Sequence, residues 1–517
     1  MPVSSRTRAC ASVVRALRIA DTEAHPCHVV GGFIRDAVLG CASRDIDLAV
    51  SGNAFLVAQE VARALGASFV PLDEAHSVAR VVVPQSEERA GEITAAPAVI
   101  DFAGYEGSIE EELRRRDFTI DAIAVPAAVA ASALTADRLD WERAAQYALD
   151  PTGGLPDLRA RRLRATGPSV FEDDPGRLLR AVRLSRELSL TIDSRTEAAV
   201  RASAQRLAEV APERTREELL KLLALPDGGE SLHALDRLGL LTTLFPELEL
   251  CRGVEQPTVH FWDVLEHSIQ TVAAFEMVAG ESDWRYGNEE MLQYVPDDPA
   301  CRLHLDAMAS SEATHGVLIK IACLLHDIAK PRTRVLDETG RARFLGHAAD
   351  GAAIVHDMLQ RLRMSNAEVS YVETLVRQHL RPAQMSSEGM PTARAVYRFF
   401  RDAEEAGIGV LYVAMADYLA CRGPLFTMAE WRATCSLVRF ILGERRRQEA
   451  VVAPSRLVDG HELMRALELR PGPTVGMLLE TIKEAMAAGS ISSRDEAIQL
   501  ARTTLEGERS AAVRTAK

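Results

Sequence analysis

Long apolar runs are missing from this chain of 517 residues, and none reaches the length of a membrane-spanning helix. The opening stretch MPVSSRTRACASVVRALRIA spreads arginines among its apolar residues, so it lacks the unbroken hydrophobic core of a secretory leader. A cytoplasmic enzyme with no membrane partner is the expectation. The eight cysteines are scattered, with no Cys-x-x-Cys pair, which excludes a zinc ribbon or a disulfide framework as the organising device. There is no internal repeat and no low-complexity tract. Positive charge is also short: the formal net charge of −14 argues against a protein that coats nucleic acid indiscriminately. A local excess survives between Pro156 and Arg186, where eight arginines face four acids, and any RNA contact belongs there. DNA is not an expected partner, and the sequence specifies no oligomeric state.

Aromatics make up only 5% of the chain, whereas Ala, Leu, Arg and Glu are abundant, which tilts the composition toward helix. The length calls for several domains. From about residue 28 to 126, short apolar runs (HVV, DIDLAV, ARVVVP, AVIDFA) alternate with helical segments such as NAFLVAQEVARALG, the pattern of an α/β head. LDPTGGLPDLRARRLRATG then reads as a Gly/Pro-punctuated connector, and helical periodicity dominates from Asp174 onward.

Three clusters in the first half carry chemistry. In VVGGFIRDAVLGCASRDIDLAVSG, strand alternation puts Asp45 and Asp47 on one face, where they can hold divalent cations. Two such ions about 3.5–4 Å apart clamp a triphosphate during phosphoryl transfer. Gly31 and Gly32 precede a helix whose amide end suits phosphate, with Arg35 as counter-charge and Gly40 at its close. In EEELRRRDFTIDAIAV, Arg116 precedes a strand-like run and is placed to serve the triphosphate, with Asp117 to orient it or cap a turn. In FEDDPGRLLRAVRLSREL, Asp174 is expected to cap a helix with Pro175 in its first turn, and Arg177, Arg180, Arg183 and Arg186 wind along one side. An Asp acceptor beside an Arg donor complements the Watson–Crick edges of both cytosine and adenine. Taken alone, the Asp45/Asp47 pair reads more readily as a solvated turn and the arginine run as a solvated helix face, and the Asp174 cluster reads also as a salt-bridged surface.

Taken in order, GGFIRD with RDIDLAV, LRRRDFTIDA, DPTGGLPDLRARRLRATG, DDPGRLLRAVRL and APERTREELLKLL resemble the successive motifs of the class II tRNA nucleotidyltransferase and bacterial poly(A) polymerase family. The resemblance implies an α+β protein: a DNA polymerase β-like α/β head, then an all-helical neck. It implies that Asp45 and Asp47 are catalytic and hold Mg²⁺. Gly31, Gly32, Arg35, Arg116 and Asp117 would then bind the nucleoside triphosphate, and Asp174 and Arg177 would select the base, supported by Arg180 and Arg183. CTP, ATP and the tRNA 3′ end would be the substrates, with CCA addition as the activity. Relatives adding only A, only C or poly(A) share these motifs. The sequence departs from the family pattern at Asp121, where Asn is usual, at Asp173, where Glu is usual, and in lacking an Arg near Tyr105 and Glu106. A carboxylate at position 121 would repel a triphosphate unless it is turned away, paired or protonated.

The second half carries His267, the adjacent His326 and Asp327, His347, His379 and Asp417. One histidine in an apolar helix is usually a core residue, but six candidates in this order point to a metal. Imidazoles with carboxylates suit Mn²⁺, Co²⁺ or Ni²⁺ better than Mg²⁺ and can activate water for phosphoester hydrolysis. The arrangement resembles the HD phosphohydrolase domain. That likeness implies His267, His326, Asp327 and Asp417 as core ligands, with His347 and His379 serving a second metal or a phosphate. The expected division is a head over 1–145, a neck over 146–245, an HD domain over 246–445 and a helical C-terminal segment over 446–517. A reading of another class is a nucleotide phosphohydrolase whose head is vestigial.

Overall fold

The computed structural model describes residues 5–515 except 42, 44, 76, 84–97, 136, 137, 258, 388 and 453–456. It is an α+β fold that divides into two compact units, residues 1–210 with 238–240, and residues 211–237 with 241–517.

The first unit is built on a six-stranded sheet. Its strands are β1 (Cys27–Val30), β2 (Asp45–Ser51), β3 (Ser68–Asp73), β4 (Val78–Val83), β5 (Ala98–Tyr105) and β6 (Ala124–Pro126), in the order β3-β4-β5-β2-β1-β6. The β2–β5 pairing is parallel and the others are antiparallel. In β4 and β5 alternate residues (Ala79, Val81, Val83, Ile100, Phe102) are buried, and that buried face fixes their register. Helix α1 (Ser5–Ala20) precedes the sheet. Helix α2 (Gly32–Leu39) follows β1 without a loop, because Gly31 at φ 72° turns the chain where a side chain would be strained. Helix α3 (Ala54–Leu65) is capped by Asn53, whose side chain accepts from the Phe55 amide at 2.9 Å. Helix α4 (Ile109–Arg114) opens with a Ser108/Glu111 capping box.

FTIDAIAV is not one strand. Thr119–Asp121 form a 3₁₀ turn, and the strand begins only at Ala124. Tertiary contacts override the apolar pattern: Thr119 Oγ1 donates to buried Asp157 at 2.7 Å, and Asp121 is pulled onto Arg35. A Cβ on Gly154 would lie 2.0 Å from the Thr119 carbonyl oxygen, so the connector helix (Gly154–Arg159) packs against this turn through a bare backbone. Helix α5 (Arg177–Glu187) follows the connector.

The second unit is helical apart from a hairpin of β7 (Arg334–Leu336) and β8 (Ala342–Phe344), which the helical reading of this half did not anticipate. Helix α6 (Val264–Ala279) packs on α7 (His315–Leu325) and α10 (Gly407–Arg422); α8 (His347–Arg361) packs on α9 (Asn366–Gln378), which also meets α7. Helices 460–467, 473–487 and 494–515 enclose a separate small core around Leu463, Leu478, Ile482 and Ala501. Among the described residues no helix is long and apolar enough to cross a membrane.

Candidate active sites

Asp45 is exposed at the start of β2, and Asp47 lies two residues on, on the same face. Asp47 stands in register with Val30 of β1 and Asp101 of β5. Burial pushes its carboxyl up to about 6; Arg116 opposes the rise, and Asp101, Asp121 and Asp45 add to it. A covered carboxylate among other carboxylates is short of positive charge, and on that ground the pair fits a divalent cation. A Cβ on Gly31 would come 3.0 Å from Arg116 Nη1 and 3.2 Å from Asp47 Oδ2. Bare backbone, guanidinium and carboxylate therefore meet at one point, where the positive dipole end of α2 also begins. Arg116 Nε is buried with no hydrogen-bond partner. Asp101, a possible third carboxylate, is held by Arg80 through bonds of 2.7 and 2.8 Å. Among the described residues it does not complete a three-ligand group with Asp45 and Asp47.

Arg35 is buried beneath Gly32, whose Cβ would lie 3.3 Å from its Nη2. Its Nη1 donates to Asp121 Oδ1 at 2.8 Å and its Nε to Asp36 Oδ1 at 2.9 Å. The carboxylate at 121 is thus paired, with Arg180 Nη2 a further 3.7 Å from its other oxygen. Arg180 Nε donates to Asp117 Oδ2 at 2.7 Å, and Arg183 pairs with Glu187. Arg180 thus ties α5 to the 3₁₀ turn and to Asp117 just before it, while the Arg183–Glu187 pair lies within the helix. Asp174 is not the N-cap of α5: the helix starts at Arg177 behind Gly176, because Asp174 Oδ1 accepts the Gly176 amide at 3.0 Å and forms a turn of its own. Its other oxygen lies 3.8 Å from Arg177 Nε, and both side chains remain partly exposed. Arg177 Nη1 also donates to the Val170 carbonyl at 3.3 Å.

In the second unit three histidines sit at helix ends. His326 follows α7, His379 follows α9, and His347 opens α8 behind Gly346 at φ 83°. Their Nδ1 atoms lie 2.8, 2.7 and 2.6 Å from the carbonyls of Cys323, Val376 and Phe344 respectively. A carbonyl only accepts, so each Nδ1 carries the proton and each Nε2 turns a lone pair inward. Asp327 joins two sets of donors. Its Oδ2 lies 3.3 Å from His267 Nε2 and 3.1 Å from His326 Nε2, and its Oδ1 lies 3.3 Å from His347 Nε2 and 4.0 Å from His379 Nε2. Asp417 Oδ1 adds a contact of 3.1 Å to His267 Nε2. His267–His326–Asp327 and Asp327–His347–His379 each gather three ligand atoms within 4.8 Å. Atoms about 2.1 Å from one tetrahedral metal stand roughly 3.4 Å apart, which these spacings match. Both Asp327 oxygens and His267 Nδ1 are buried without a well-formed hydrogen bond. The donor set therefore fits one metal on each side of Asp327.

Comparison with known proteins joins the two halves. The model described as Poly A polymerase head domain matches residues 27–164, that described as Probable RNA and SrmB- binding site of polymerase A matches 189–251, and the HD domain model matches 264–421. An A-adding tRNA nucleotidyltransferase of Deinococcus radiodurans is 32% identical over 91% of this chain and 93% of the relative. The chain belongs to the tRNA nucleotidyltransferase family. A CC-adding member from Thermus thermophilus is 33% identical over 90% of this chain and 91% of its own. The fold of the Thermotoga maritima CCA-adding enzyme complexed with tRNA is shared at a TM-score of 0.59 and 19% identity, over 95% of this chain and 94% of that one. Head and HD domain both come from metal-dependent families.

In this nucleotidyltransferase, sequence reasoning missed several supporting residues. Asp157 binds Thr119, Arg162 and Arg164 and so shapes the nucleotide-side turn from within a segment that reads as a connector. His260 packs edge-on to His267 with ring centres 5.5 Å apart, seven residues upstream of it. Lys330 places Nζ 2.6 Å from Asp327 Oδ2 and 2.6 Å from Gln256 Oε1. The one available signal was its spacing, three residues after Asp327 and one helical turn along the chain.

Proposed function

We propose that the chain builds the 3′ CCA end of tRNA from CTP and ATP, and that its HD domain hydrolyses phosphate esters at RNA ends. The observation that carries the reading is the meeting of Gly31, Asp47 and Arg116 at one point of the head. Asp45 and Asp47 hold Mg²⁺, and the HD ligands hold Mn²⁺, Co²⁺ or Ni²⁺; bound there, these ions supply charge neutralisation at phosphoryl oxygens and activation of the attacking oxygen. Gly31 and Gly32 let the triphosphate approach the backbone at the start of α2. Arg116 neutralises it, and Arg35 lends its charge from below while Asp36 and Asp121 hold it in place. Asp174 accepts from, and Arg177 donates to, the base edge; Arg180, fixed by Asp117, and Arg183, fixed by Glu187, keep that helix in register. The primer 3′-hydroxyl attacks the α-phosphate and pyrophosphate leaves. In this reading the head spans 1–145, the neck 146–245, the HD domain 246–445 and the tail 446–517.

A second reading is favoured by the two relatives above 30% identity described here, one A-adding and one CC-adding. It assigns this chain one part of CCA addition. Transcripts ending at the discriminator base, at C and at CC, given CTP and ATP singly and together, separate the two. Completion of CCA by the mixture supports the first reading. Arrest after CC, or extension only of the CC-ended transcript by one A, supports the second. Long ATP-only tails refute both. Asp174→Ala is expected to relax nucleotide choice, and retained C/A preference removes the base-selecting role.

A further inference from the structure

Beside the HD centre lies a pocket of about 370 Å³ between the β7–β8 hairpin and the 255–257 segment. Its walls include Arg334, Arg341, Leu336, Gln256 and Glu255. Gln256 connects it to the histidine cluster: its Oε1 accepts from Lys330 Nζ at 2.6 Å, and the same nitrogen is 2.6 Å from the bridging Asp327 carboxylate. The pocket wall is therefore two polar contacts from the place where a scissile phosphate would bind. The hairpin also leads straight into His347, which closes on the Phe344 carbonyl.

The charges of this pocket are not matched internally. Asp337 of the hairpin turn is occupied by Thr339, Arg343 and the Arg341 amide, while the guanidinium groups of Arg334 and Arg341 have no ion pair among the described residues. Glu255 is the opposing acid on the wall, so one positive charge is left over. Leu336, with 56% of its surface exposed, adds an apolar patch beside them. Two planar cations next to an apolar surface, a short step from the histidine–aspartate donor set, match a phosphodiester followed by a ribose and base.

We propose that this pocket is a subsite for an RNA strand, in which Arg334 and Arg341 grip the phosphodiester upstream of the terminal phosphate held at the HD centre. The proposal rests on the hydrolase reading given above and adds substrate length to it: the centre prefers the end of a chain to a mononucleotide.

The test uses the full chain loaded with Co²⁺, whose visible absorption at a histidine site reports ligand binding there and is silent about the head. A dinucleotide ending in a 3′-phosphate is titrated against a nucleoside 3′-monophosphate. The dinucleotide is expected to bind about tenfold tighter or more, since one charged hydrogen bond contributes about 1.5–3 kcal/mol. Arg334→Ala with Arg341→Ala, both on exposed positions, is expected to erase that advantage, leave the monophosphate constant unchanged and flatten the salt dependence of the dinucleotide. Equal binding of the two ligands by the unaltered protein, or an advantage that survives the double substitution, overturns the subsite while leaving the hydrolase reading in place. A Co²⁺ spectrum indifferent to both ligands removes the hydrolase reading and the subsite together.

Discussion

At Gly31 the backbone stands at φ 72° with Arg116 and Asp47 within 3.2 Å of where a Cβ would sit, whereas Gly40 at φ 76° has nothing within 4 Å. Alanine at Gly40 carries the left-handed backbone cost of about 1–2 kcal/mol, whereas Gly31, at ψ −139°, holds a conformation that glycine almost alone adopts, and alanine there costs more. Only Gly31→Ala must also displace the guanidinium and carboxylate, so single-nucleotide incorporation is expected to fall at least about a hundredfold there and to persist in Gly40→Ala, whose melting loss is the smaller of the two. His304 is a residue whose titration is visible in stability. Burial, with help from His315 and Arg445, lowers it to about 4, and its Nε2 lies 2.8 Å from the Tyr371 hydroxyl. The unfolded chain takes up a proton near the ordinary value of about 6.5. Between those values the unfolded state binds more protons, so stability is full above pH 6.5 and is lost as the pH falls toward 4. The loss is at most about 3 kcal/mol. Urea midpoints at pH 7 and pH 4.5 should converge in His304→Gln relative to the unaltered protein; an unchanged gap rules His304 out as the source.

Among the elements, α7 is anchored by a charge that the rest of the unit surrounds. Lys320 Nζ, almost fully buried, lies 2.8 Å from Glu276 of α6 and 2.6 Å from Glu281, and donates to the carbonyls of Leu223 and Leu225 at 2.9 and 3.1 Å. Glu276 in turn accepts the Gly228 amide at 2.6 Å. Lys320→Met leaves a buried carboxylate without its cation, and a loss of about 3–5 kcal/mol in urea unfolding is expected. Adding Glu276→Gln to that background should recover part of it, because the amide oxygen still accepts from Gly228 while the charge is gone. Since His326 ends the same helix, weaker metal retention in Lys320→Met is a further expected outcome, read by dialysis against a chelator. Element boundaries were the least legible feature of the sequence. FTIDA has a strand's composition and becomes a turn because Asp157 and Arg35 claim its side chains, and α5 starts three residues after Asp174 because that carboxylate closes a turn first.

At the level of the whole molecule, the Asp45/Asp47 pair lies in the first compact unit and the histidine–aspartate clusters lie in the second. Asp45→Asn with Asp47→Asn is expected to lower nucleotide incorporation by about a thousandfold or more while sparing metal-dependent phosphoester hydrolysis. His326→Ala with Asp327→Ala is expected to do the reverse. Loss of both activities in the second variant, measured beside its melting temperature, would show that the HD metals serve the fold rather than a reaction.

The strands around Asp45 and Asp47, the helix behind Gly31 and the histidine order of the second half were readable from the chain alone. Each rests on local rules: side chains alternate along a strand, positive φ favours glycine, and metal donors are of few types. Distances across the fold were not readable. Asp121 broke the expected pattern and gave no sign that Arg35 would neutralise it from 86 residues away, and nothing near Asp327 announced that its two oxygens would divide four imidazoles into two sets. Those pairings depend on which side chains a packed core brings within a few ångströms, and only the folded chain sets that.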